Sequence, residues 1–478
     1  MKHIKKYVIV YIFLILLLYL IIGAIAPFIR YQQVSETTKQ AFHKEDFIGN
    51  RTGSDRAMIL ETNQSAWDER VRLLNLATEQ IILSTYDMRE GESTADILSI
   101  LLQKAEQGVH VQILVDGISG LLRMEGRELF YAVASHPQVE IKLYNRINLL
   151  QPWKTQGRMH DKYIIVDDLG YLLGGRNTFD YFLGEYDTAN RSLDREILVY
   201  NTQHGTKESK QSSLNELRAY FDTVWDSPYC SYFHEEKDLD QKPKIQEERA
   251  RLIARSKNIA DKRPDLYETY EYSKVTCPTT KIRLISNPIT VYAKEPTVFY
   301  QAVQLMRQAS DSVRIHTPYA VTNTDMNQML REVRESVPDM KLVLNSVENG
   351  DNFMASSDYL WNKKNLIQTG MTIYEYDGGT SAHGKSILID DSLSLIGSYN
   401  MDLRSTYVDT ELMLVVDSKE LNAELRAHMD ALEKDCRQVI TEHEYMTPEH
   451  IVVRKQPFWK KTALRAVGLL MQGFRYLI

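Results

Sequence analysis

Apolar residues recur along this chain in two periods, one helical and one of extended strands, and the order in which they alternate appears twice. Val71, Leu74 and Leu76 fall at helical spacing and are followed by the apolar run Ile81-Ile82-Leu83. A helix around Ile97 to Ala105, strands at Val111 to Val115 and Val139 to Leu143, and a strand beginning at His160 complete the first copy. The second copy reads Val303 to Met306, Val313 to His316, Met326 to Val333, Leu342 to Leu344, Ile373 to Tyr376, and a strand beginning at His383. Two homologous halves explain this order most economically. Strands alternating with helices of this length predict an α/β sandwich with mixed sheets.

The pattern changes at both ends and in the middle. From Tyr7 to Ile29 no charge interrupts the apolar residues, a length that crosses a bilayer core as a helix. Ala24-Ile25-Ala26 resembles a signal-peptidase site, but Pro27 follows directly and the stretch is long for a cleaved leader, so a retained anchor is favoured. Lys2, Lys5 and Lys6 precede it and only Arg30 lies close behind. That bias predicts a single-pass protein of the cell membrane with a cytoplasmic amino terminus and the body outside.

In the tail, Leu464, Val467, Met471, Phe474 and Ile478 recur at helical spacing. Arg454, Lys455, Lys460, Lys461, Arg465 and Arg475 there meet no acidic residue. Either an interfacial helix on anionic lipid or a helix closing the core fits. Between the halves the sequence is strongly charged (Glu235-Glu236-Lys237-Asp238, Glu247-Glu248-Arg249) and reads as a linker. It carries one helix, in which Ser213 and Glu216 have capping-box spacing and Leu217, Phe221 and Val224 share a face. The expected organisation is an anchor at 1–30, a first half at 31–202, a charged linker at 203–279, a second half at 280–453 and a basic amphipathic tail at 454–478.

Composition adds little beyond exclusions. The 478 residues are 43% hydrophobic and 25% charged, which is ordinary for a globular protein. A formal net charge of -7 counts against an extended nucleic-acid surface. Cys230, Cys277 and Cys436 lie far apart and form no zinc or redox spacing.

The chemistry lies in a repeated motif. His160-Asp161-Lys162, four residues, Asp167, six residues and Gly174-Gly175-Arg176-Asn177 match His383-Gly384-Lys385, four residues, Asp390, six residues and Gly397-Ser398-Tyr399-Asn400. In extended backbone, positions i and i+2 share a face, so each His sits beside its Lys. Two lysines and the amides of Asn177 and Asn400 would hold the charged oxygens of a phosphodiester. Of two imidazoles facing one phosphorus, the neutral one can attack while the protonated one donates to the leaving alkoxide. A carboxylate on the remote ring nitrogen would fix each tautomer, and Glu196 and Glu411, each just before an apolar strand, are the candidates. Neither motif has a clustered metal-ligand set, and the lysines would repel a cation, so no metal and no other cofactor is expected.

These motifs resemble the HKD signatures of the phospholipase D superfamily, over about residues 55 to 455. Arg158-Met159 before the first motif, Asp180-Tyr181-Phe182, Thr317-Pro318-Tyr319, the segment Phe221 to Ser227, and Met401-Asp402-Leu403-Arg404-Ser405 narrow the resemblance to bacterial cardiolipin synthases. The resemblance implies two phospholipase D-like halves forming one pseudo-two-fold body. It also implies a metal-independent ping-pong transfer of a phosphatidyl group, donated by phosphatidylglycerol, through a phosphohistidine to a second lipid hydroxyl. It further implies His160 as nucleophile, His383 as general acid, and Lys162, Lys385, Asn177 and Asn400 as phosphate ligands. Asp167 and Asp390 are counted with the catalytic set as members of the signature, a structural role being the alternative. Hydrolysis of phospholipids is the competing reaction. A nuclease-like phosphodiesterase is the more distant one, and no nucleic-acid partner is expected.

Overall fold

The computed structural model describes residues 2–236, 238–453 and 456–478. Lys237, Arg454 and Lys455, drawn on above for their charge, lie outside the described residues. The first half supplies β1 (Asp55–Leu60), β2 (Gln80–Thr85), β3 (His110–Asp116), β4 (Val139–Tyr144), β5 (Tyr163–Val166), β6 (Gly170–Gly174), β7 (Ser192–Leu193), β8 (Glu196–Asn201), β9 (Cys230–Tyr232) and β10 (Cys277–Pro278). The second supplies β11 (Lys281–Ser286), β12 (Ser312–His316), β13 (Asp339–Asn345), β14 (Thr372–Tyr376), β15 (Ser381–Ala382), β16 (Ser386–Ile389), β17 (Leu393–Gly397), β18 (Leu412–Asp417), β19 (Cys436–Val439) and β20 (Tyr445–Met446).

One sheet runs β10-β1-β8-β6-β5-β2-β3-β4-β9 and the other β11-β18-β17-β16-β12-β13-β14-β19-β20. Leaving out β10 and β20, the two orders are the same, as expected of homologous halves. In each sheet three neighbouring strands are parallel (β2, β3, β4 and β12, β13, β14) and the rest antiparallel, so both sheets are mixed. The central strands β5, β6, β16 and β17 are buried on both faces, which is why they read as unbroken apolar runs rather than alternating ones. Helices cover the outer faces. The inner faces meet in a shared core in which Ile59, Ile165 and Ile197 lie with Leu388, Ile396 and Leu414.

Three expectations need correction. The supposed linker is largely part of the first half: β9 pairs with β4 and β10 with β1, and the helix Pro243–Lys262 buries Ile245, Leu252 and Ile259 against that half's core. Those residues recur every seventh position, a stripe obscured by the charges on the exposed side. The capping box at Ser213 does not form, because its hydroxyl donates to the buried Asp55 carboxylate instead. Finally, β5 and β16 begin three residues after each His, so His160 and His383 lie on extended segments leading into the strands.

The amino-terminal helix Lys2–Ile25 and the turn after it hold one apolar stretch, Tyr7–Phe28, long enough to cross a membrane, and the side chains from Tyr7 to Tyr19 are exposed. The tail helix Phe458–Met471 combines both readings, with the faces exchanged. Leu464 is buried and Met471 packs on the second-half core, whereas Phe458, Trp459, Leu469 and Leu470 are exposed. Arg475 is not free for lipid, since it pairs with Asp358 at 2.6 Å.

Candidate active site

Each half places its His just before the central strand of its sheet, and the two central segments face each other. β7 and β15, one from each half, pair in parallel, and Met159 bridges to Thr410. The halves are thus stitched together at the motifs. The His383 N–H donates to the Leu193 carbonyl at 2.6 Å, and that of His160 to the Thr410 hydroxyl at 3.1 Å.

The carboxylates cross between halves. His160 Nδ1 lies 2.8 Å from Glu411 of the second half, and His383 Nδ1 lies 2.6 Å from Asp194 of the first. Glu196 is not a histidine partner: it is bound by Arg70 on both oxygens, at 2.7 and 2.6 Å, with Arg176 at 3.5 Å. Strand register explains the difference. Gly174 is opposite Glu196 and Gly397 opposite Met413, which makes Asp194 the counterpart of Glu411. Gly175 leaves the space that the Asp194 carboxylate occupies, since a Cβ there would collide with it.

Lys162 and Lys385 are buried and repeat one geometry, each ammonium donating to the main-chain carbonyl of its own His. Lys385 also touches Nδ1 of His383 at 2.5 Å. One ring nitrogen cannot both donate and accept. The ionised Asp194 takes the N–H, and Lys385 is satisfied by the carbonyl and by Asp194 at 3.9 Å. The Asn177 side-chain oxygen accepts from the Asp87 N–H at 3.2 Å. The Asn400 amide donates to the Tyr319 hydroxyl at 3.2 Å, and its buried oxygen has no partner among the described residues.

Charge separates the two pairs. Burial pushes up on Asp194, but Lys385, His383 and Arg176 outweigh it and hold its carboxyl well below the usual range. Burial pushes Glu411 up to about 8 against the opposition of Lys162 and the hydroxyls of Ser398 and Ser405. Burial, Lys162 and Lys385 hold His160 well below an ordinary imidazole. His383 is lowered by burial and Lys385 while Asp194 resists. His383 and Lys385 are close enough for their charges to act on His160.

Asp167 and Asp390 are not brought to the site. Each lies beyond the far end of its strand with positive φ, 46° and 48°. Asp167 accepts the N–H groups of Thr78, Glu79 and Gln80, and Asp390 those of Ser310, Asp311 and Ser312. They fasten the turn to the start of the neighbouring strand.

Asp194 and Tyr86 escaped the sequence reading, and Asp161 and Phe182 were named there without a role. The buried Asp161 carboxyl accepts from Tyr220 and Thr410, and the rings of Tyr86 and Phe182 lie 5.2 Å from His160 and His383. A cleft of about 940 Å³ reaches the first motif at Asn177 and is lined also by Tyr86, Phe182, Arg191, Asp351 and Ser381. A larger one of about 1040 Å³, at Lys44 to Asp55 and Thr279 to Ile282, holds neither motif.

The family described as cardiolipin synthase, PLD-like domain, matches residues 71–225 and 302–433, more than half of the chain. The chain is similar to cardiolipin synthase C of Escherichia coli (strain K12), 26% identical over 467 residues covering 86% of this chain and 94% of that one. It is also similar to a cardiolipin synthase of Halalkalibacterium halodurans, 25% identical over 367 residues covering 75% of this chain and 62% of that one. The solved structure of phosphatidylserine synthase from Haemophilus influenzae shares the fold, with a TM-score of 0.64 at 15% identity over 93% of this chain and 100% of that one.

Proposed function

This chain belongs to the cardiolipin synthase, PLD-like domain family, and from that premise we propose that it is a phosphatidyltransferase that forms cardiolipin from phosphatidylglycerol through a phosphohistidine. The observation that carries the reading is the pair of crossed His–carboxylate contacts, His160 with Glu411 and His383 with Asp194, flanked by two buried lysines.

His160 is assigned as the nucleophile because burial and the lysines hold it well below an ordinary imidazole, whereas Asp194 opposes the same lowering at His383. Its Nε2 attacks phosphorus, and the bond from phosphorus to the glycerol oxygen breaks. His383, whose charged form is supported by an ionised Asp194, gives its proton to the departing alkoxide. In the second step neutral His383 takes a proton from the acceptor's hydroxyl. That oxygen attacks phosphorus and the bond from phosphorus to nitrogen breaks, restoring His160. Lys162, Lys385, Asn177 and Asn400 hold the nonbridging oxygens. The body stands on the outer side of the cell membrane, by the three lysines before the span and the single arginine behind it.

Incubation with phosphatidylglycerol vesicles, followed by separation of the lipid products, tests this. Cardiolipin and glycerol in equal amounts are expected. Phosphatidic acid without cardiolipin would replace transfer by hydrolysis.

A further inference from the structure

The amino-terminal span is held against the catalytic body without slack. Ile25 and Tyr31 pack on the second-half core and Phe28 is part of it, and the Tyr31 ring lies 4.7 Å from that of Tyr407. The body therefore cannot stand away from the membrane on a tether.

One loop of the first half runs back along the span. The Tyr19 hydroxyl donates to the Leu150 carbonyl at 2.9 Å, and a Cβ on Gly23 would collide with the Pro152 ring, so the helix and the loop touch at both positions. Tyr19 lies nine residues before Phe28, the end of the apolar stretch, which is about 13 Å of helix. A leaflet's hydrocarbon is about 15 Å deep. The loop is composed for that depth: Ile147 to Trp153 carries no charge, and Arg146 and Lys154 bracket it. At its tip Leu149 and Leu150 are 63% and 81% exposed and belong to no hydrophobic cluster among the described residues. Leu121 and Leu122, in a turn tied to Arg146 through Glu125, are also exposed.

We propose that the loop around Leu149 and Leu150 is immersed in the acyl chains of the leaflet bearing the catalytic body, which gives the enzyme a second membrane contact beside its span. The occupant of this apolar surface is lipid, because the surface is continuous with the span and lies along it. The outward face of the tail helix, with Phe458, Trp459 and Leu469 beside Lys461 and Arg465, lies near the headgroups, since Arg475 and Tyr476 after it flank Tyr31. This inference rests on the span being retained and inserted.

The test uses the full chain in phosphatidylglycerol–phosphatidylcholine vesicles, with Cys230, Cys277 and Cys436 replaced by Ser. A fluorophore is attached in turn at Leu14→Cys, Leu150→Cys and Lys257→Cys. Quenching by acyl-chain spin-labelled lipid is expected at 14 and 150, and quenching by iodide alone at 257. If 14 is quenched from the lipid and 150 only from water, the inference falls and the anchor stands. If both are quenched only from water, both readings fall. A second variant, Leu149→Asp with Leu150→Asp, should lose at least tenfold activity on vesicles and keep its turnover of a short-chain donor dispersed in detergent. An equal fall on both substrates, or none on either, would overturn the inference.

Discussion

His160 and His383 stand at matched positions of two homologous halves, yet each is oriented by the half it does not belong to, and the two carboxylates behind them are held differently. Asp194 is kept ionised by Lys385, His383 and Arg176, whereas Glu411 is pushed by burial to about 8. Duplication supplies two imidazoles of one kind. On the proposed mechanism, unequal charge around them would let one begin as a neutral nucleophile and the other as an acid. Because the pairs cross, neither half alone contains a complete His–carboxylate pair, and the candidate site is assembled only when the halves are joined.

The comparison breaks most visibly if the histidines are removed singly. His160→Ala and His383→Ala should each lower turnover of phosphatidylglycerol by about 10³-fold or more. With a phosphatidyl donor carrying a p-nitrophenol leaving group, which needs no acid, they should part. His383→Ala releases p-nitrophenol and accumulates a covalent adduct visible by intact-mass spectrometry, and His160→Ala does neither. The opposite result would exchange the two roles.

The carboxylates come next. Asp194→Asn should cost on the order of 10³-fold in kcat, because the imidazolium at His383 loses its ionised partner. Glu411→Gln should cost about tenfold, since an amide oxygen can still accept the Nδ1–H of His160. Steady-state rates that fall equally would remove the asymmetry argued from charge.

The pH profile sharpens the same contrast. Burial and Lys385 bring Lys162 down to about 7 although Glu411 resists. Its ammonium is present below that value and is lost as pH rises through it. The alkaline fall of kcat/KM should therefore begin with a one-proton slope set by His383, which lies below an ordinary imidazole, and steepen to two protons near pH 7. Lys162→Arg, with a cation that does not titrate there, should restore the one-proton slope. A wild-type second break near pH 10 would contradict this assignment.

Much of this architecture was legible because the periods of the core residues and the spacing of the motifs are local properties. Ile81 to Leu83 and Val313 to His316 are strands in both readings, and the matched offsets from His to Asn identify one motif twice. Crossing of the pairs is not local: it follows from how two sheets face each other, so neighbouring sequence led to Glu196. Had Ile197 to Val199 been set against Leu414 to Val416, the extra residues before β8 would have shifted Asp194 onto Glu411. The helix Pro243–Lys262 was obscured in another way, its buried stripe outnumbered by the charges that keep its other face in water.

Asp167 and Asp390 provide the smallest effect and the control for the rest. They are as regular a part of the repeated motif as the histidines, but each carboxylate is occupied by three main-chain N–H groups at the turn it occupies. Asn tolerates the positive φ found there, so Asp167→Asn and Asp390→Asn change the acceptor without straining the backbone. A neutral amide has one oxygen to offer where the carboxylate has two, and a charge-assisted bond becomes an ordinary one. Each substitution should lower stability by about 1 to 2 kcal/mol, measurable as a shift of the denaturation midpoint, while kcat per folded molecule stays within about twofold of wild type. A loss of turnover comparable with that of Asp194→Asn, at unchanged stability, would return these aspartates to the chemistry and show that a repeated motif marks reacting groups throughout its length, not only at its first and third residues.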